Sequence, residues 1–249
     1  MSIRETLSAV YYGLCDGTAE HSVPRPLTNM PPRYLLLLVF LGALLTAVIQ
    51  LEVISIALQK LGLSQRSALL LMLGVLLGSG INIPLGSITS RPATAPPPDI
   101  PFRWRVRGQS VMPPATGRTV IAVNLGGCVI PSAICMHLLA ARLVDPLDLL
   151  LALPVISAVC YLFSRPVAGI GVAMPVLLAP LAAVMVALAL EPENAAPLAY
   201  SSGVLGVLLG ADLLRLPDIR SMGVPVAAIG GAGTFDGIFL TGIIAVLLT

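Results

Sequence analysis

Two aspartates sit where an acid is expensive. Asp212 falls near the end of the apolar run 198–214, and Asp236 lies well inside the run 224–249. A carboxylate at membrane depth must face protein or water, so such a residue is a functional candidate by default. Two carboxylates that share a site cannot both ionise easily, so one keeps its proton. One then acts as base on a water and the other as acid toward a carbonyl oxygen, the division of labour of an aspartic protease. Asp212 has a plainer alternative, an ion pair with Arg215 three residues on. Asp236 has no basic residue nearby in its run.

Two further polar groups interrupt apolar stretches. Asn82 stands in Gly-Ser-Gly-Ile-Asn-Ile-Pro84, and Asn124 in Asn-Leu-Gly-Gly-Cys-Val-Ile-Pro131. Pro removes a helix donor and Gly loosens the backbone, so carbonyls are freed at membrane depth and need partners. The sequence therefore predicts broken helices near Asn82, Asn124 and the glycine-rich Gly230. One reading is two kinked helices joined by an Asn–Asn hydrogen bond. The other is a substrate or ion site built from Asn82, Asn124, Gly230, Gly231, Gly233 and Thr234, as at the broken helices of transporters. Gly203, Gly206 and Gly210 fall near one helix face and permit close backbone approach.

The elements that must position these residues are apolar helices. The chain is 57% apolar and 10% charged over 249 residues, with a mean hydropathy of +0.96. Soluble domains carry about 25% charged residues, so lipid is the expected solvent. A transmembrane helix needs about 20 mostly apolar residues. Seven runs qualify: 34–58, 68–88, 119–139, 147–163, 171–190, 198–214 and 224–249. The expected fold is an all-α bundle of about seven transmembrane spans. Residues 1–33 form an amino-terminal tail that lacks the pattern of a secretory signal, and 34–249 form the membrane domain. Its longest loop, 89–117, is rich in Pro and Arg and cannot be a regular helix.

Lys and Arg in loops set orientation. With the amino terminus inside, eleven basic residues face the cytoplasm, and only Lys60, Arg66 and Arg142 face outward. The expectation is a multi-pass protein of the cell's inner (plasma) membrane, amino terminus in and carboxyl terminus out. The loop interleaves Phe102 and Trp104 with arginines, a pattern that suits lipid headgroups. No nucleic-acid partner is expected. The cysteines Cys15, Cys128, Cys135 and Cys160 form no CxxC pair and read as small apolar residues. His137 stands alone in its run, Glu52 is expected to snorkel, and neither a metal nor a cofactor is expected.

The INIPL, VNLGG, GADLL and GGAGTFDGIFLTG segments resemble those of an uncharacterised prokaryotic membrane family, domain of unknown function 1614, over roughly Leu35 to the end. That resemblance implies a topology and no activity. A more distant likeness is to the Gly-x-Gly-Asp intramembrane proteases of the presenilin and prepilin peptidase type. It implies that Asp212 and Asp236 are the catalytic pair, with Gly230, Gly231 and Gly233 supporting the second. The chain departs from that pattern: two extra residues precede Asp236, Ala211 precedes Asp212, and no Pro-Ala-Leu segment follows. The rival readings are a cation- or proton-coupled transporter and an assembly subunit that packs through small residues. Membrane lipids are expected partners, with a membrane-protein substrate or a small ion as the ligand.

Overall fold

The computed structural model describes residues 32–90, 117–167, 171–224, 226–231 and 237–249. The amino-terminal tail, most of the Pro/Arg loop, and the candidates Gly233, Thr234 and Asp236 lie outside the described residues. The chain divides into two units, residues 1–50 and 51–249.

In the first unit the described part is helical, the start of α1 (Pro32–Lys60). Every side chain from Leu35 to Gln50 is exposed, and nearly all are apolar. Such a surface is stable in lipid and would be costly in water.

The second unit is mostly helical. Lys60 ends α1, where a cation complements the helix dipole, and its Nζ reaches the Val246 carbonyl at 3.4 Å. Ser64 then caps α2 (Gln65–Gly78), its Oγ accepting from the Ser67 N–H. Further along are α3 (Ile130–Ala140), α4 (Pro146–Phe163), α5 (Leu178–Leu190), α6 (Ala195–Val207), the short α7 (Ile219–Met222) and α8 (Gly237–Leu248). Asp145 caps α4 by accepting from the Leu147 N–H at 2.8 Å, and Pro146 occupies its first turn, where a missing N–H does no harm.

The core forms around α6. All of α6 except Ala196 and Leu205 is buried, because α4, α5 and α8 close on it from different sides, with α3 beside them. Small residues allow this. A Cβ at Gly206 would come within 2.5 Å of Ile156 on α4, and one at Gly210 within 2.8 Å of the Cys160 Cβ. Gly203 instead faces Thr241 on α8 and Ala183 on α5. Gly206 and Gly210 thus serve α4, and Gly203 serves α5 and α8.

The expectation of an all-α fold needs correction. Asn82–Thr89 is a strand, β1, and Arg118–Asn124 is a second, β2; they pair antiparallel with Asn82 opposite Asn124. Val226–Ile229 is a further strand, β5, and runs parallel to β2. The sheet order is β1-β2-β5. A smaller hairpin joins β3 (Arg165–Val167) to β4 (Gly171–Ala173). So the expected spans 68–88, 119–139, 171–190 and 224–249 each contain a strand and a shorter helix. In place of helices broken at Asn82, Asn124 and Gly230, helices give way to strands there. The physical reason is local. Pro84 and Gly86 disfavour helix and sit at a bulge in β1, while Thr-Val-Ile-Ala-Val in β2 is rich in the β-branched residues that suit a pleated surface.

Among the described residues, three helical segments are long and apolar enough to cross a membrane: Leu35–Lys60, Pro146–Phe163 and Pro192–Asp218. Together with the exposed apolar surface of α1, they mark a membrane protein.

Candidate functional site

The strands β2 and β5 end side by side. Val123 pairs with Ile229, so Asn124 and Gly230 follow at matching positions. After Asn124 the chain winds into a π-helical segment, Leu125–Val129, which leads into α3. Asn124 is fully buried. Its Nδ2 donates to the Ser79 carbonyl at 2.7 Å and to Asn82 Oδ1 at 3.0 Å. Its Oδ1 accepts from the Gly127 N–H at 2.7 Å. Both amide protons are engaged within the protein, and the oxygen caps the π segment. The two asparagines that the sequence singled out do meet, across a strand pair instead of a helix pair.

After Ile229 the chain turns at Gly230 and Gly231, whose φ angles are +84° and +74°. Only glycine adopts this region readily. Gly230 also lies against the π segment: a Cβ there would come 2.7 Å from the Cys128 nitrogen and 2.8 Å from the Gly127 carbonyl carbon. Sequence reasoning missed Gly127 and Cys128. The signal was present, two glycines one residue after a capping Asn.

Asp212 comes from a different element. It lies in a second π segment, Leu208–Leu213, which continues α6. A π bulge inside a helix is frequent at functional sites. The Gly230 N–H donates to Asp212 Oδ2 at 2.8 Å. Gly230 therefore supports the first aspartate, whereas the resemblance assigned it to the second. Arg215, the alternative partner for Asp212, turns its guanidinium elsewhere: to Asp218 at 3.0 Å, and to the carbonyls of Tyr161 at 2.7 Å and Ser164 at 2.8 Å. Its guanidinium also stacks over the Tyr161 ring at 4.2 Å.

A cavity of about 190 Å³ opens beside Asp212. Its wall includes all four residues of β5, together with Gly171 and Gly231. Among the described residues β5 pairs with β2 alone and is an edge strand of the sheet. The site thus combines one carboxylate, a glycine turn and an edge strand. The described residues contain no cluster of three or more His, Cys, Asp or Glu that would hold a metal ion.

The family described as "Protein of unknown function (DUF1614)" matches residues 76–248. The chain belongs to this family. The match begins inside α2, later than the Leu35 start expected from the sequence, and takes in both asparagines, both aspartates and every described strand. No curated protein and no solved structure matches the chain.

Proposed function

We propose that this DUF1614 protein is an intramembrane aspartic peptidase, with Asp212 and Asp236 as its catalytic pair. The observation that carries the reading is the 2.8 Å bond from the Gly230 N–H to Asp212 Oδ2. It ties the first aspartate to the head of the glycine-rich segment that leads, six residues later, to the second. One carboxylate takes the proton of the attacking water, and the other, protonated, donates to the scissile carbonyl oxygen.

The position of β5 as an edge strand among the described residues favours a peptide over an ion as ligand. An extended chain laid along it would continue the ladder through main-chain hydrogen bonds and bring a peptide bond to the cavity beside Asp212. β1, at the opposite edge, is a poorer platform, since Pro84 lacks a donor and sits at the bulge.

The proposed setting is the inner membrane, with several passes and the amino terminus in the cytoplasm. The Lys and Arg bias sets the orientation, and the strand directions agree with the alternation of passes. In this topology the second span runs inward, and the third and seventh run outward. β1 lies in the second span, β2 in the third and β5 in the seventh, and β2 is antiparallel to β1 and parallel to β5. Lengths are consistent too. A helix of 12 residues rises only about 18 Å of the roughly 30 Å hydrocarbon core, and a four-residue strand adds about 13 Å.

The test uses purified protein in liposomes, assayed for cleavage of a membrane-spanning substrate and for ion flux. Asp212→Asn and Asp236→Asn should each abolish cleavage with folding intact. Loss of flux in Asp236→Asn alone would favour a carrier. If neither substitution changes anything, an assembly subunit is the better reading. Cysteine labelling at positions 108 and 193 in a cysteine-free background tests orientation. Labelling of position 108 by an impermeant reagent outside intact cells would overturn it.

A further inference from the structure

We infer that Asn124 is a positioning residue for Asp212, acting through the contact between the Gly127–Cys128 backbone and Gly230. The inference rests on the reading of Asp212 as a working acid.

The chain of contacts is continuous. Asn124 Oδ1 holds the Gly127 N–H at 2.7 Å and so fixes the first turn of the π segment. The backbone of that turn forms the wall on which Gly230 rests, close enough that a Cβ on Gly230 would meet the Cys128 nitrogen at 2.7 Å. The parallel register, with Val123 opposite Ile229, delivers Gly230 to this wall. Gly230 then directs its N–H at Asp212 Oδ2. Asn124 itself is anchored from behind by Ser79 and Asn82, so the cap cannot drift without breaking the β1–β2 pair.

The turn matters because the position of a carboxylate oxygen decides whether it reaches a reacting atom. An error of about 1 Å in such a group can lower a rate about 100-fold. Among the described residues Asn124 bonds to Ser79, Asn82 and Gly127, and to neither Asp212 nor the cavity wall, so its influence has to pass through the turn.

The test reads Asp212 directly. Full-length protein carrying ¹³C-labelled aspartate is reconstituted in lipid, and the infrared carboxyl band of Asp212 is assigned by its loss in Asp212→Asn. Asn124→Ala removes the cap and should shift that band. Asn124→Ser restores a capping oxygen without the two amide donors and should return the band toward its parent position. Asn82→Ala leaves the bond to Gly127 in place and should move it little. A merely structural Asn124 would lower thermal stability in all three variants and leave the Asp212 band where it was; that outcome overturns the inference. Should Asn124→Ala fail to fold, Asn124→Gln, which displaces the same amide by one methylene, carries the same comparison. Failure of the peptidase reading looks different: the band shifts as expected, but cleavage survives Asp212→Asn.

Discussion

The backbone N–H of Gly230 donates to Asp212 Oδ2 at 2.8 Å, binding the turn after β5 to the end of the sixth apolar run. The two are 18 residues apart in sequence, and the intervening chain turns back through α7 and β5. Main-chain donors suit this task, since a backbone N–H in a fixed turn has no rotamer to lose on binding a carboxylate.

Gly230→Ala should damage this arrangement from two directions. The left-handed conformation costs a non-glycine residue about 1–2 kcal/mol, and overpacking against the Cys128 and Gly127 backbone adds about 1–3 kcal/mol. Gly86→Ala is the control: a Cβ there meets nothing within 4 Å and φ is not positive. Thermal unfolding should show a large drop for the first and a change of no more than about 1 kcal/mol for the second. Equal effects would mean that the Gly230 contact is looser than described.

Gly210→Ala should loosen α6 from α4. Its Cβ would press on the Ser157 carbonyl and the Cys160 side chain, and backbone does not yield as a side chain does. A loss of about 1–3 kcal/mol is expected. Gly203→Ala should be milder, because its nearest neighbours are the Thr241 methyl at 3.2 Å and the Ala183 Cβ at 3.3 Å. Comparing the two variants by thermal unfolding checks the order; a reversed order would contradict the packing.

Much of the helical frame was legible in the sequence. The run 147–163 coincides with α4 almost residue for residue, because Asp145 and Pro146 start it and Ser164 follows it. The strands were not legible, since a short apolar run bounded by Gly or Pro reads the same for a buried strand as for a broken helix. Asn82 and Asn124 stand out because each is polar in an apolar stretch, and their meeting is one of the two readings the sequence allows. That they meet on strands follows from long-range pairing that no local pattern carries. The tie between Asp212 and Gly230 was hidden for the same reason. A main-chain donor leaves no mark in the residue types.

Glu191 predicts a pH dependence. It follows the last residue of α5, and its Oε2 is buried with no hydrogen-bond partner among the described residues. Burial pushes its carboxyl above the usual value of 4.5, and the nearby Asp148 and Asp145 push it further in the same direction. The folded state then holds this proton at pH values where the unfolded chain has lost it. Its contribution is fully present below pH 4.5 and is lost as pH rises through the raised value. Glu191→Gln should therefore be more stable than the parent at neutral pH, and the difference should vanish in acid. Denaturant melts at a series of pH values measure this; a gain that persists at low pH would point to another cause.

Tyr200 offers a test of what the core contains. Its side chain is completely buried, and its ring faces α8, where a Cβ on Gly242 would come within 2.6 Å of it. Its hydroxyl has no hydrogen-bond partner among the described residues. A buried hydroxyl left unsatisfied costs about 1–3 kcal/mol. Tyr200→Phe keeps the ring and removes the oxygen, so it should raise the unfolding temperature. A water bound to the hydroxyl would reverse the sign, because the substitution would then discard a satisfied bond. Tyr200→Leu separates packing from polarity: it loses the ring as well, so it should fall below the parent whichever account of the hydroxyl holds. A Phe variant less stable than the parent, with the Leu variant lower still, would place an ordered water in the middle of the bundle.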